Sequence, residues 1–328
     1  ISGDTGIQDI EKIFTQGEFE DVSEKGNVVS HDISKEYASH ISGLVPFDKE
    51  KVKGLKVVVD CANAMGCKEV ELLKGMCEVV PLFDVLDGNF PNHEADPLKD
   101  ENTKALQEAV VAEKASLGIA FDGDADRVFF IDEQGRRIPS DFITCLIAED
   151  MLANEKGTIL YDLRSSWVVP EIIESLGGKA EMSKVGHAFI KEHLRKSKGI
   201  FGGELSGHFY FKDLFYTDSA ILAVFHVLHK VSSSGMSISS LVKPLQKYFV
   251  SGEINREVDD KEGILELLKK KYTDGKVSLL DGIRVDYDDW WFNVRASNTE
   301  SLLRLNVEAK TKELMEEKRD ELLSFMDS

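Results

Sequence analysis

The residues best placed to do chemistry are three aspartates at alternate positions, Asp122, Asp124 and Asp126, followed by Arg127, in the stretch IAFDGDADRVFFID from Ile119 to Asp132. Unit charges about 4 Å apart at an effective dielectric of about 20 interact by roughly 4 kcal/mol, so three carboxylates within five residues repel unless a cation neutralises them. All-oxygen ligation favours Mg²⁺, Mn²⁺ or Ca²⁺ over a zinc site of sulfur and nitrogen. The flanking apolar runs, Ile119 to Phe121 and Val128 to Ile131, read as two strands, which places the carboxylates on the turn between them.

Other readings of this turn fit less well. As a helix-loop-helix calcium loop starting at Asp122, Glu133 would fall at the last ligand position, but Arg127 stands where that loop needs Gly, and the flanks are strand-like. As the aspartyl nucleophile of a haloacid-dehalogenase-like phosphotransferase, Asp122 and Asp124 would serve, yet Asp126 occupies a Thr or Val position. A solvated acidic turn that binds nothing is the plain alternative.

Two further loops carry usable groups. Arg295, Ser297, Asn298 and Thr299 cluster one guanidinium, two hydroxyls and an amide on a tight turn, enough donors for three phosphate oxygens; an ordinary Asn/Ser turn with a surface Arg is the competing reading. Gly203 to His208, GELSGH, offers a carboxylate and a hydroxyl, which are what sugar hydroxyls need, and His208 can shuttle a proton. His226 and His229 have metal-ligand spacing but no third ligand, so they read as core or surface histidines.

The elements that position these loops follow from hydrophobic periodicity. Gly3 to Phe14 reads as a helix, with Thr5 and Gln8 at capping-box spacing, and Glu18 to Asn27 as a linker. Ile33 to Leu44 reads as a helix and Leu55 to Asp60, LKVVVD, as a buried strand of the parallel-sheet kind. A helix to about Lys74, a strand from Cys77 to Phe83, a loop from Asp84 to Pro97 and a helix from Asn102 to Lys114 then lead into the aspartate hairpin. A second passage repeats the plan. Thr158 to Asp162 is a strand, a helix ends at Gly177-Gly178, Lys179 to Ser183 is a strand, another helix follows His187, and Gly199 to Asp213 is a hairpin. Laid over Gly118 to Asp132 without a gap, it sets His208 on Arg127, which implies duplicated domains. Ile221 to Val231 is an apolar helix and Ser232 to Ser240 a break. Beyond Lys243, strands at Ile283 to Tyr287, Trp291 to Val294 and Leu302 to Val307 alternate with helices at Ile264 to Lys271 and Leu314 to Phe325. The fold class is therefore α/β, with two duplicated α/β domains of mixed sheets followed by a smaller α+β C-terminal domain.

The 328 residues, 42% of them hydrophobic, suffice for two or three packed domains. A formal net charge of -19 argues against a nucleic-acid partner, and no apolar run is long enough for a membrane span. Four cysteines without a CxxC pair suit a reduced, cytoplasmic protein better than a disulfide scaffold.

DGDADR at Asp122 to Arg127, GELSGH at Gly203 to His208 and RASNTE at Arg295 to Glu300, in that order and spacing, resemble three of the four signature loops of the α-D-phosphohexomutases, the phosphomannomutase/phosphoglucomutase family. DGNFPNHEADP and KVGH (Lys184 to His187) are similar to further family segments, and the match runs from about Gly3 to the C-terminus. The resemblance implies reversible interconversion of hexose 6-phosphate and hexose 1-phosphate, of mannose or glucose, through an enzyme phosphoserine and a hexose 1,6-bisphosphate. It implies that Asp122, Asp124 and Asp126 hold Mg²⁺ and that Arg127 neutralises the moving phosphoryl group. Glu204 and Ser206 would orient sugar hydroxyls, and Arg295, Ser297, Asn298 and Thr299 would grip the phosphate that is not reacting. Arg164, Lys184, His187 and His208 are candidates for substrate contact, proton transfer and charge stabilisation. The fourth signature, the serine loop, would belong to a domain preceding Ile1, so these residues alone should turn over almost nothing. Ser39 sits in Ala-Ser-His-Ile, lacks the Asn-Pro that shapes an exposed turn and lies on an expected helix, so it is not the nucleophile. The implied organisation is 1-20 as the tail of that preceding domain, 21-136 carrying the metal loop, 137-245 the sugar loop and 246-328 the phosphate loop. Alternatives are a non-catalytic sugar-phosphate-binding protein and a phosphoglucosamine mutase; Leu205, where the latter usually has a polar residue, favours glucose and mannose phosphates.

Overall fold

The computed structural model describes residues 6–17, 19, 22–297 and 301–327, in two compact units, Ile1–Leu44 and Val45–Ser328. The first unit holds helices α1 (Gln8–Gln16) and α2 (Ser34–Leu44). Helix α1 continues past the expected end at Phe14 and stops at Gly17, whose left-handed φ of 65° lets its N–H reach the carbonyls of Ile13 and Phe14. Gly3 and the expected cap Thr5 lie outside the described residues. Ser39 lies mid-helix, as expected, and is exposed.

The second unit opens with the short helix α3 (Lys49–Lys53), capped by the Asp48 side chain. There follow β1 (Lys56–Asp60), α4 (Gly66–Leu73), β2 (Glu78–Leu82), α5 (Lys104–Ala112), β3 (Leu117–Phe121), β4 (Val128–Asp132) and β5 (Arg137–Ile138). They form one sheet of order β2-β1-β3-β4-β5. Strand β1 is parallel to β2 and β3, whereas β3, β4 and β5 pair antiparallel, so the sheet is mixed. Val57, Val58, Val59, Ile119, Phe130 and Ile131 have no exposed surface, and each such side chain contributes roughly 1.5–3 kcal/mol by leaving water.

The plan then recurs: α6 (Ser140–Asn154), β6 (Thr158–Asp162), α7 (Val168–Ser175), β7 (Lys179–Ser183), α8 (His187–Ser197), β8 (Phe201–Gly203), β9 (Phe209–Phe211), β10 (Thr217–Asp218), α9 (Ala220–Ser234) and α10 (Ile238–Val242). The second sheet has the order β7-β6-β8-β9-β10, the same succession as the first. One detail departs from the gapless overlay. Asp122 to Arg127 separate the closing pair Phe121↔Val128, but only Glu204 to His208 separate Gly203↔Phe209, so the second turn is one residue shorter. The match of Arg127 to His208 holds on the returning strands and slips on the outgoing ones.

The C-terminal elements are β11 (Phe249–Val250), β12 (Ile254–Glu257), α11 (Lys261–Lys271), β13 (Lys276–Ser278), β14 (Ile283–Asp286), β15 (Trp290–Ala296), β16 (Leu302–Ala309) and α12 (Lys312–Met326). The antiparallel sheet runs β11-β16-β15-β14-β13, with β12 also on β16. Its core gathers Phe292, Val294, Leu303, Leu305 and Val307 with Leu268, Met315 and Leu322 from the helices. His226 and His229 both face Asp150, at 2.6 and 3.5 Å, so they are partners of a half-buried carboxylate. All four cysteines are free thiols. Among the described residues no single helix is long and apolar enough to cross a membrane.

Candidate active site

The aspartate turn is closed at its base by its own arginine. The Asp122 carboxylate, fully buried, accepts the Arg127 N–H at 3.1 Å and Arg127 Nε at 2.6 Å. Ala125 adopts φ 61°, a left-handed conformation that L side chains avoid at a cost of about 1 kcal/mol. The chain so reversed gathers one carboxylate oxygen each from Asp122, Asp124 and Asp126 within 4.8 Å of one another. Asp122 is buried, Asp126 half-buried and Asp124 exposed. Burial raises the Asp122 pKa, opposed by the Arg127 charge. At Asp126 burial acts in the same direction, but the hydrogen bond and charge of His208, with Arg127, hold the carboxyl below its ordinary value. Hard oxygen donors converging from two depths are a fitting seat for a divalent cation such as Mg²⁺.

The Asp84 to Pro97 loop reaches the same place. Asp96 lies 3.8 Å from Arg127, and His93 from the same loop pairs with the buried Asp60 at 3.1 Å.

The second hairpin meets the first at its turn. Arg127 and His208 form an antiparallel backbone bridge, and the Val128 N–H donates to the Gly207 carbonyl at 3.0 Å. This approach requires glycine: at Gly207, with φ 89°, a Cβ would lie 2.9 Å from the Val128 carbonyl oxygen and 2.8 Å from the Phe129 ring. His208 Nε2 stands 3.4 Å from Asp126, while its Nδ1 faces Ser206 Oγ at 2.9 Å and Glu204 at 3.3 Å. Burial alone would lower the His208 pKa; the two carboxylates outweigh it and bring it to about 9. Asp126, His208 and Asp218 also gather donor atoms within 4.8 Å.

Glu204 is 1% exposed and turned inward: it accepts the Gly186 N–H at 2.8 Å and the Tyr210 hydroxyl. Its carboxylate thereby fixes the Lys184 to His187 loop. His187, exposed, stacks on His208 with ring centroids 6.3 Å apart. Lys184, also exposed, holds Nζ 5.4 Å from the centre of the Phe189 ring.

Asp162, at the end of β6, ties this loop to the arginines. It accepts the Leu205 N–H at 2.8 Å and grips Arg164 through Nε at 3.1 Å and a terminal nitrogen at 2.8 Å. Arg164 then reaches Glu253 at 3.3 Å, and Arg295 on β15 reaches the same carboxylate at 3.2 Å. Ser297 is buried just beyond, its N–H on the Leu302 carbonyl at 2.9 Å. Asn298 and Thr299 lie outside the described residues. A chain of contacts thus runs from Asp122 through Arg127 to Asp126, His208 and Glu204, passes along the backbone to Leu205, and continues through Asp162 and Arg164 to Glu253 and Arg295.

Sequence reasoning did not single out Asp96, Asp162, Tyr210, Glu253 or Arg304. Asp162 was accessible by analogy, because TILYD ends as KVVVD does and both terminal aspartates accept the N–H two residues on. Arg304 is placed only by strand register, opposite Arg295.

The chain is thus two mixed α/β modules in tandem, each carrying a polar hairpin turn, with a third module that supplies Arg295 and Arg304. Family descriptions for phosphoglucomutase/phosphomannomutase match here in three consecutive parts: alpha/beta/alpha domain II over residues 35–135, alpha/beta/alpha domain III over 139–248 and the C-terminal domain over 253–324. A phosphomannomutase of Methanocaldococcus jannaschii is 43% identical over 279 residues, 84% of this chain and 62% of that protein. One of Vibrio cholerae is 40% identical over 340 residues, 99% of this chain and 73% of that protein. The solved structure of a phosphoglucomutase/phosphomannomutase family protein from Burkholderia thailandensis superposes with a TM-score of 0.89 at 30% identity, over 99% of this chain and 70% of that one. The chain belongs to the phosphoglucomutase/phosphomannomutase family, the α-D-phosphohexomutases, and spans about two thirds of the length of these relatives.

Proposed function

We propose that these residues are the cation-, sugar- and phosphate-handling part of a phosphohexomutase that interconverts the 6- and 1-phosphates of mannose or glucose. The reaction would pass through a phosphoserine and a hexose 1,6-bisphosphate. The observation that carries this reading is the chain of contacts, continued through the backbone from Glu204 to Leu205, that joins the aspartate turn to Arg295: an acidic end suited to a cation beside a reacting phosphoryl group, and a basic end suited to a second phosphate. A bisphosphate intermediate needs two such ends. The relatives from Methanocaldococcus jannaschii and Vibrio cholerae are named phosphomannomutases, which supports mannose phosphate as a substrate.

In this reading Asp122, Asp124 and Asp126 hold Mg²⁺, which when bound supplies charge neutralisation for the phosphoryl group. Arg127, anchored by Asp122, is ready to add a second positive charge at the same place. His208 carries a proton on Nε2 toward Asp126, with His187 stacked behind it. Ser206 and the loop held by Glu204 orient the sugar. Arg164, Arg295 and Ser297, with Asn298 and Thr299, seat the phosphate that is not transferred, and positioning of this kind is most of what phosphoryl transfer requires. The sequence contains no Ser-His-Asn-Pro run, and we place the phosphorylated serine on a segment outside these 328 residues. We divide the chain at 21–136, 137–245 and 246–328, with 1–20 as the tail of that segment; strand β5 carries the first sheet to Ile138. A reducing cytoplasm suits the four free thiols.

A coupled assay with mannose 1-phosphate, glucose 1-phosphate and Mg²⁺ tests this. The 328 residues alone should show almost no turnover, and a polypeptide extended by a serine-bearing segment should show turnover dependent on the bisphosphate. Full activity of the 328 residues alone, or none in the extended protein, refutes the assignment.

A further inference from the structure

Glu253, between β11 and β12, faces three guanidinium groups. Its Oε2 lies 3.3 Å from Arg164 and 3.2 Å from Arg295, and its Oε1 lies 3.4 Å from Arg304. The arginines come from separate places: Arg164 from the turn after β6, and Arg295 and Arg304 from facing positions of β15 and β16. Three cations crowded into a partly buried corner repel one another unless an anion stands among them. Burial would raise the Glu253 pKa, yet the charges of Arg164, Arg295 and Arg304 hold the carboxyl below its ordinary value.

Arg164 has a second acidic partner in Asp162. Arg295 is only 7% exposed, and its Nε has no hydrogen-bond partner among the described residues. A carboxylate brings two oxygens and one charge to this corner. A phosphate monoester would bring three terminal oxygens and up to two charges, more than the Glu253 carboxylate offers to the arginine nitrogens that face it.

We propose that Glu253 is a resident counter-anion that holds Arg164, Arg295 and Arg304 together and yields them to an entering phosphate monoester, with Arg304 thereby a member of the phosphate-binding set. This rests on the reading of the Arg295 turn as the seat of the non-transferred phosphate. Glu253 sets the affinity of that seat: it keeps the arginines from splaying apart, and its own charge opposes the incoming anion. Product release is then assisted, because the carboxylate returns as phosphate leaves.

The test is calorimetric titration of the 328-residue chain, and of Glu253→Gln, Glu253→Asp, Arg304→Gln and Arg295→Gln, with inorganic phosphate and with glucose 6-phosphate. Thermal melts accompany each variant. Glu253→Gln should bind both ligands about tenfold more tightly, and Glu253→Asp, which keeps the charge, should tighten binding less. Arg304→Gln should weaken binding about tenfold. If Arg295→Gln weakens phosphate binding while Glu253→Gln leaves it unchanged or weaker, Glu253 is a structural brace and the proposal is overturned on its own. If Arg295→Gln changes nothing, or no variant binds phosphate, the reading of the seat falls and the proposal with it.

Discussion

The two α/β sheets share a strand order and differ in what they do with acidic side chains. In the first, the hairpin turn brings Asp122, Asp124 and Asp126 together, with Asp124 exposed. In the second, Asp141, Asp162 and Glu204 are buried and serve as acceptors for backbone N–H groups at Ser166, Arg164, Leu205 and Gly186. Both copies use buried carboxylates to shape their loops, as Asp60 does for Ala62 and Asp122 for Arg127, but only the first gathers three aspartates on its hairpin turn. A duplicated scaffold can therefore specialise through a handful of turn residues while its strands, which carry the stability, remain interchangeable in plan.

The largest test of this contrast removes a displayed carboxylate. In a catalytically competent extended protein, Asp126→Ala should lower kcat/KM at least about 100-fold, as loss of preorganised charge at a reacting phosphoryl group does, and calorimetry should show weakened Mg²⁺ binding. Unchanged Mg²⁺ affinity would detach the turn from cation binding.

The junction between the copies comes next. Gly207→Ala forces a Cβ against the Val128 carbonyl and Phe129 at a left-handed φ, and should destabilise the unit by about 3 kcal/mol in urea unfolding. A loss below about 1 kcal/mol would show that the hairpins separate freely.

An inward acid gives a pH signature. Burial, with the charge of Asp162 adding to it, pushes Asp141 up to about 7 from an ordinary value of 3.8 despite the Ser166 N–H. The folded state therefore keeps a proton that the unfolded chain gives up, so this group's contribution to stability falls as pH rises from about 4 to about 7. Asp141→Asn should stabilise the protein at pH 8 by on the order of 2 kcal/mol and much less at pH 5. An equal effect at both pH values would place the charged carboxylate comfortably in the fold.

The smallest effect mirrors the Gly207 substitution. Ala125→Gly relieves a left-handed alanine but adds freedom to the unfolded chain, so a gain of about 0.5 kcal/mol is expected in the same unfolding measurement. A loss of more than about 1 kcal/mol would mean that the methyl group packs.

Much of this arrangement could be read from residues alone. KVVVD, TILYD and the apolar arms of both hairpins announce buried strands, and all the corresponding strands form where expected. Helix α6 escaped because Ile143, Cys145, Leu146, Ile147, Ala148 and Leu152 are buried around it, leaving no polar face to give a helical stripe. Strands β5, β10 and β11 are too short to show alternation, and β11 is exposed at both residues. Within the candidate site, turns rich in Asp, Gly and Ser declared themselves by composition. Glu253 and Arg304 are lone charges in unremarkable segments, and only chain folding brings them to Arg164 and Arg295.

The bond from the Val128 N–H to the Gly207 carbonyl belongs to both turns at once. Under the proposed reading, in which the first turn seats the cation and the second the sugar, cation affinity and sugar selectivity are mechanically linked quantities. A substitution that adjusts one turn shifts the footing of the other, and retuning this protein for a different hexose would mean rebuilding both turns together.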